Sequence, residues 1–170
     1  MKKYVLTGGP GIGKTTAIEI LASMGYHVAP EIARMVIEEQ KIKDSDVLPW
    51  KDLSKFQEKV AEEQLKMENT ILADIVFMDR SIIDGHGYSK LANVESPILI
   101  GKVAKNRYDK IFVLDPLPHF ENDGLRFENP EEALIVHQAI IDAYKHFGYE
   151  PIFVPVLPPQ ERVEYILGMI

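Results

Sequence analysis

The sequence contains no cysteine, which excludes disulfide bonds, thiolate metal sites and a cysteine nucleophile. It also has no long hydrophobic run. The N-terminal stretch MKKYVLTGG carries only a short apolar segment, far too short for a signal peptide. No later run approaches the length of a membrane-spanning helix. These absences lead us to expect a cytoplasmic protein that does not interact with membranes.

Positive charge is also in short supply. Lysine and arginine together number 19, against 26 aspartates and glutamates, which gives a formal net charge of -7. A chain with this balance is not expected to attract nucleic acid or an anionic membrane over a broad surface. We therefore expect a local site to hold any phosphate group, and the partners to be small molecules. The sequence leaves the oligomeric state open.

Short apolar runs typical of buried strands alternate with segments that have helical spacing. The predicted strands are 3–7, 26–29, 73–79, 109–115 and 150–156. The predicted helices are 14–24, 30–41, 52–73, 82–106 with a break at 93–97, 131–147 and 159–168. This alternation predicts an α/β fold in which five strands form a parallel sheet with helices on both faces. With 170 residues, the chain is expected to form a single domain, 1–170.

Residues 8–15 match the pattern G-x-x-x-x-G-K-[ST], directly after a predicted strand and at the start of a predicted helix. In this pattern the backbone amides wrap a phosphate chain, and the helix N-terminus adds its positive dipole. Lys14 is expected to reach the β- and γ-phosphates of ATP, and the Thr15 hydroxyl to bind Mg²⁺. The whole predicted cradle is Gly8, Gly9, Pro10, Gly11, Ile12, Gly13, Lys14, Thr15 and Thr16.

Charged side chains follow three other predicted strands, and strand ends are where a parallel sheet binds ligands. Glu31 follows the second strand, while Asp79 and Arg80 follow the third. Asp79 is expected to bind Mg²⁺ or to take a proton from an attacking hydroxyl, and Arg80 to contact phosphate or substrate. Arg126 lies in the predicted loop 116–130, where a cation can close over a triphosphate.

Each of these residues also has a purely structural interpretation. Asp79 can cap the following helix. Glu31 can interact favourably with the dipole of its helix or pair with Arg34. Arg80 can form a structural ion pair, and Arg126 can be a solvated loop charge. Lys102, Lys105 and Arg107 can face the phosphates, but an ordinary solvated helix face is the favoured interpretation. The histidines have no metal-binding spacing, so the metal we expect is Mg²⁺ carried by the nucleotide.

Taken together, GGPGIGKTT, PEIAR, DRS, DGLR and the tail G-Y-x-x-x-x-V-P with Arg162 resemble a P-loop kinase-like ATPase family that includes nicotinamide riboside kinase domains. DRS is also similar to segments of deoxynucleoside and thymidylate kinases. The resemblance implies a three-layer nucleoside-kinase-like fold with the third strand beside the first. It further implies Glu31 or Asp79 as the acid–base residue and Arg126 as the lid cation. We expect neither the partner domains of the riboside kinase nor an arginine-rich lid.

Three kinds of function are compatible with these observations, and one of them is a non-catalytic nucleotide-binding module in which the acidic residues are purely structural. A Mg²⁺-dependent small-molecule kinase would transfer the γ-phosphoryl of ATP to a nucleoside-like acceptor bound in the segment 31–73, with Trp50, Phe56 and Tyr88 as walls. An ATPase or a nucleotide-dependent switch acting with a protein partner would position water instead. The sequence leaves the choice between them open, as it does the identity of the acceptor.

Overall fold

The computed structural model describes residues 1–117 and 129–170. Its strands are β1 (Lys2–Thr7), β2 (His27–Ala29), β3 (Ile75–Asp79), β4 (Lys110–Leu114) and β5 (Ile152–Val154). Its helices, within those ranges, are α1 (Lys14–Ser23), α2 (Ile32–Ile42), α3 (Leu53–Thr70), α4 (Ile82–Leu91), α5 (Ile98–Val103), α6 (Pro130–His146) and α7 (Pro159–Leu167).

The five strands form one parallel sheet in the order β2-β3-β1-β4-β5. This confirms the predicted fold class and the position of the third strand beside the first. In this register Leu6 of β1 lies opposite Asp79 of β3. The chain leaving β1 as the predicted cradle therefore emerges next to the end of β3, at the carboxyl edge where α/β sheets bind ligands.

Two apolar layers cover the sheet. On one face, Leu6 and Phe112 belong to a buried cluster that includes side chains of α1 and α7. On the other, Val5 and Met78 belong to a cluster with side chains of α3, α4 and α6. Neighbouring residues of a strand face opposite sides, so runs that are apolar throughout serve both layers at once. The three-layer arrangement follows from this property.

Some predicted boundaries need correction. Helix α2 begins at Ile32 rather than at Pro30, because Glu31 has an extended backbone with φ of -66° and ψ of 102°. Helix α3 ends at Thr70 rather than at residue 73, because Ile71 is extended. The predicted loop 116–130 lies mostly outside the described residues, and Pro130 already belongs to α6.

An ion cluster closes the opposite edge of the sheet, where β1 and β4 begin. The buried carboxylate of Glu68 accepts from Lys3 and Arg107, each over 2.7 Å, and from the Tyr108 hydroxyl over 2.9 Å. The prediction of a solvated role is therefore wrong for Arg107, because the partly buried guanidinium neutralises a buried carboxylate. Lys102 and Lys105 are exposed, as expected.

Helices α4 and α6 approach each other closely at Gly87. A Cβ atom built there would lie 3.0 Å from the Ala139 carbonyl oxygen and 3.2 Å from the Ile140 Cα. Gly101 of α5 offers a matched contrast, because nothing lies within 4 Å of its built Cβ. No helix in the described part of the chain is both long and apolar enough to cross a bilayer.

We predict that Gly87→Ala lowers the free energy of unfolding by about 1–3 kcal/mol, because the two helix backbones must move apart. Gly101→Ala should be neutral or stabilising by up to about 1 kcal/mol, the helix-propensity difference between the two residues. Urea unfolding of both variants measures the effect. Equal stability of the two would show that Gly87 is not a packing constraint.

Candidate functional site

The predicted cradle forms the turn between β1 and α1. Gly8 and Gly13 have φ of 123° and 86°, in the region that side chains other than glycine rarely adopt. Gly13 occupies the N-cap of α1, and no described side chain caps this helix start. The first amides of α1 are therefore available to an anion, as phosphate binding at a helix N-terminus requires.

Lys14 is almost completely buried, with 4% of its surface exposed. Its Nζ donates to the carbonyl oxygen of Gly9 over 2.6 Å, so the side chain folds back over the loop. An ammonium group has three donor hydrogens, which allows this contact to coexist with a bond to a phosphate oxygen. The position agrees with the phosphate-binding role expected of Lys14.

Thr15 and Asp79 lie side by side, although they come from different elements. The Thr15 hydroxyl donates to Oδ2 of Asp79 over 3.1 Å. The other carboxylate oxygen, Oδ1, is buried and has no hydrogen-bond partner among the described residues. A hydroxyl beside an underused carboxylate oxygen fits Mg²⁺, which prefers hard oxygen ligands. Burial raises the pKa of Asp79, and nearby Glu31 adds to this rise while Lys14 opposes it.

The alternative role of Asp79 as a helix cap is wrong. Ser81 is the N-cap of α4, and it forms a capping box with Asp84. The backbone amide of Ser81 donates to Oδ2 of Asp84 over 3.0 Å, while Oγ of Ser81 accepts from the Ile83 amide over 3.2 Å. Asp79 is therefore not needed to begin the helix.

Arg80 links the cradle to the segment after β2. Its guanidinium donates to the Glu31 carboxylate over 3.1 Å, to Oδ1 of Asp84 over 3.0 Å and to the Gly8 carbonyl oxygen over 3.1 Å. The structural ion pair weighed for Arg80 is thus present. The residue is 5% exposed and has a left-handed backbone with φ of 69°, which is unusual for a side chain of this size.

Asp84 holds this arginine in place. Its Oδ1 accepts from the Thr7 hydroxyl over 2.6 Å as well as from Arg80, and its Oδ2 accepts from the Tyr144 hydroxyl over 2.6 Å. The buried carboxylate therefore has a partner on both oxygens, as a charge inside a protein requires. These bonds connect β1, α4 and α6 directly beneath the cradle.

A cavity of about 410 Å³ is lined mainly by residues of α2, α3 and α4, together with Glu132 of α6. Its lining also includes Arg80, which contacts the cradle at Gly8. The predicted walls Trp50, Phe56 and Tyr88 all line it. Glu31 and Arg80 are also among its lining residues, whereas Asp79 is not among the described residues that line it. The remaining lining is mainly apolar but includes the buried carboxamides of Gln57 and Gln64.

Two residues that touch the cradle were not among the predicted site residues. Arg162 of α7 donates to the carbonyl oxygens of Ile12 over 2.7 Å, Asp115 over 2.9 Å and Pro155 over 3.0 Å. It therefore ties the cradle to the ends of β4 and β5. Nδ1 of His137, in α6, accepts a hydrogen bond from the backbone amide of Gly9. Neither contact has a local signal, because both partners are remote in sequence.

Arg126 lies outside the described residues, so its expected role as a lid cation stays a prediction. Of the other predicted site residues, the fold brings Lys14, Glu31, Asp79 and Arg80 to one edge of the sheet together with the cradle. Within 1–117 and 129–170, no group of three or more histidines and carboxylates forms a metal site. The metal position suggested by Thr15 and Asp79 would thus depend on oxygens supplied by a nucleotide.

A comparison with protein families matches residues 3–162 to the AAA domain. No curated protein has significant similarity to the chain. Among solved structures, a crystal structure of NadR protein in complex with NR is similar, with a TM-score of 0.74 and 21% identity over 98% of this chain and 51% of that chain. A NadR complex with NAD and AMP-PNP gives a TM-score of 0.72 and 19% identity over 98% and 49%.

A deoxyadenosine kinase from M. mycoides, with dCMP and dCDP bound, is similar along almost its entire length. The TM-score is 0.64, with 19% identity over 98% of this chain and 97% of that chain. The present chain thus spans about half the length of the NadR structures. At these identities the similarity establishes a shared fold, that of P-loop kinases.

We predict that Asp79→Asn raises the thermal unfolding temperature at neutral pH. Because burial raises the pKa of Asp79 in the folded protein, ionisation costs stability as the pH rises above the ordinary aspartate range, and the cost is complete above the folded-state pKa. The amide cannot ionise, so its advantage should disappear at a pH low enough to protonate Asp79 in both states. Calorimetry of both proteins across this range tests the sign. An advantage that persists unchanged at low pH would contradict it.

Proposed function

Since the chain belongs to the AAA-domain family, we propose that it is a Mg²⁺-dependent kinase that transfers the γ-phosphoryl group of ATP to a hydroxyl of a nucleoside-like acceptor. One observation carries this proposal. A single guanidinium, that of Arg80, contacts both the cradle at Gly8 and the carboxylate of Glu31, which lines the adjacent cavity. The nucleotide in the cradle and the acceptor in the cavity would then lie on either side of the buried Arg80 side chain.

The cavity supports a small organic acceptor. Its volume, about 410 Å³, lies within the range of about 300–1,000 Å³ that is usual for small-molecule sites. Trp50, Phe56 and Tyr88 supply aromatic surface on which a planar ring can pack. The Gln57 carboxamide is buried in this lining and makes no hydrogen bond to a described residue, which suits recognition of a polar ring edge.

The similar structures also support a nucleoside-like acceptor. The NadR structures contain NR in one case and NAD with AMP-PNP in the other, and the deoxyadenosine kinase structure contains nucleotides. Ligands of these kinds combine a base or base-like ring with a ribose or deoxyribose and, in most cases, phosphates. We propose an acceptor of this general class for the present chain, without choosing a particular base.

On the nucleotide side, the cradle amides and Lys14 would bind the phosphates of ATP. Thr15 and Asp79 would hold Mg²⁺, which neutralises charge on the phosphate oxygens. Arg80 would orient Glu31 and add positive charge near the transferred group. Its left-handed backbone and three partners hold the guanidinium between Gly8 of the cradle and Glu31 of the cavity lining.

The cavity lining favours Glu31 over Asp79 as the general base. Glu31 faces the acceptor space, whereas Asp79 is bonded to Thr15 on the nucleotide side. As the acceptor oxygen bonds to the γ-phosphorus, the bond from that phosphorus to the bridging oxygen of ADP breaks. Glu31 takes the proton that the hydroxyl loses.

Hydrolysis of ATP is the second candidate, because the same cradle can present the γ-phosphoryl to water. The apolar and aromatic lining of the cavity favours an organic acceptor, which on binding would displace water from the space beside Glu31. A kinase nevertheless hydrolyses ATP slowly when no acceptor is bound. The two functions therefore differ in their products and not in the cradle.

The distinguishing experiment supplies purified protein with Mg-ATP and a panel of nucleosides, nicotinamide riboside and nucleoside monophosphates. We expect ADP and a phosphorylated acceptor in equal amounts with at least one compound, and no product with Lys14→Ala. Free phosphate formed at a rate independent of every acceptor would instead identify an ATPase. Lys14→Ala with unchanged nucleotide affinity and turnover would refute the cradle assignment.

Glu31→Gln should lower kcat by about 10²–10⁴-fold, the usual contribution of a general base, with little change in KM for ATP. Glu38→Gln is the matched control, because Glu38 is an exposed residue of α2, the helix that follows Glu31. Steady-state kinetics with the best acceptor measures both variants. If Glu31→Gln retains full kcat while Asp79→Asn loses it, the base has been assigned to the wrong carboxylate.

A further inference from the structure

Helix α6 touches the phosphate cradle through a histidine. The backbone amide of Gly9 donates to Nδ1 of His137 over 3.0 Å, and the histidine residue is only 8% exposed. We infer that His137 is a positioning residue for the cradle, which holds the Gly9 amide through a neutral imidazole that carries its proton on Nε2. The inference rests on the proposed binding of nucleotide by the cradle.

The direction of this hydrogen bond determines which ring nitrogen of His137 carries a proton. A backbone amide nitrogen can only donate, so Nδ1 of His137 has to be the acceptor. An imidazole nitrogen accepts only when it carries no proton, and a histidinium ion has a proton on both nitrogens. Bonding to Gly9 therefore requires the neutral ring with its proton on Nε2.

His137 packs closely against the cradle in addition to its hydrogen bond with Gly9. A Cβ built at Gly8 would lie 3.1 Å from Nδ1 and Cε1 of the His137 ring. One built at Gly9 would lie 3.1 Å from the His137 Cβ and 2.8 Å from the Ala133 carbonyl oxygen. Glycines at both positions thus let the cradle lie directly on α6, where the imidazole accepts the hydrogen bond from the Gly9 amide.

The hydrogen bonds hold both peptide groups that flank Gly9. His137 accepts from the amide on one side, and Lys14 donates to the carbonyl oxygen on the other over 2.6 Å. The Lys14 contact involves a long side chain that also has to reach phosphate. The His137 contact comes from a packed helix, so it can keep the loop in shape while the ammonium group adjusts.

The charges around the ring favour the neutral form. Burial lowers the pKa of His137, and Lys14 of α1 lowers it further, while Asp115 at the end of β4 acts in the opposite direction. Within α6 itself, the residues three and four positions away are Ala133, Leu134, Ile140 and Ile141, none of which is charged. The neutral ring is therefore the form expected at neutral pH.

The binding test uses variants that move or remove the acceptor. His137→Asn places a side-chain oxygen near the position of Nδ1, His137→Gln places one near Nε2, and His137→Phe has none. For Mg-AMP-PNP measured by calorimetry, we expect about tenfold weaker binding by His137→Phe, because it leaves a buried amide without a partner. His137→Asn should recover most of the affinity and His137→Gln little of it.

His146→Phe is the matched control, because His146 is an exposed histidine of the same helix and should retain full affinity. Thermal unfolding shows which variants are folded. If His137→Phe does not fold, the comparison of Asn with Gln still decides. Equal affinities of folded Asn and Gln variants, or wild-type affinity in a folded Phe variant, would overturn the inference.

A second measurement separates this inference from the proposed function. Long-range ¹H–¹⁵N correlation spectra report which ring nitrogen of His137 carries the proton, whether or not the protein turns over substrate. We expect the Nε2-protonated neutral ring, and a Gly9 amide resonance that shifts in His137→Phe but not in His146→Phe. A proton on Nδ1 at neutral pH would refute the inference, whereas absence of kinase product would refute only the proposed function.

Discussion

The candidate site depends on one buried ion pair, between Arg80 and Asp84. Arg80 follows β3 in a left-handed conformation, and Asp84 lies in the first turn of α4. Asp84 also binds the Thr7 hydroxyl of β1 and the Tyr144 hydroxyl of α6. A buried charge without partners costs several kcal/mol of stability, so Arg80 and Asp84 have to keep these hydrogen bonds in the folded protein. The cradle, the sheet edge and two helices are held in one arrangement around it.

This constraint also divides the site into two sides. Toward the cradle, Arg80 binds the Gly8 carbonyl oxygen, and Asp79 lies against Thr15. Toward the cavity, Arg80 binds Glu31, which lies just before α2. The carboxylates of Asp79 and Glu31 thus have different environments. That of Asp79 is buried beside the Thr15 hydroxyl, whereas that of Glu31 lines the mainly apolar cavity. Different environments are what allow two acids in one site to take different roles.

Much of the architecture could be predicted from the sequence. The run IVFM, which precedes Asp79 in β3, is apolar throughout because both faces of a parallel sheet are covered. The Gly-rich turn before Lys14 marks the first crossover. The ends of α2 and α3 were predicted less well. Glu31 and Ile71 are extended residues in stretches whose apolar spacing continues the helical pattern, so periodicity does not reveal the change in backbone.

The sequence by itself determined the parallel α/β fold and the glycine-rich turn that forms the cradle. Both depend on residues close together in the chain, whose spacing directly controls backbone shape. Only the tertiary structure decided that Ser81 rather than Asp79 caps α4, that Glu31 and not Asp79 lines the cavity, and that Arg107 is buried against Glu68. It also brought His137 and Arg162 to the cradle. These contacts join elements far apart in sequence, and no local pattern records a partner that packing alone brings near.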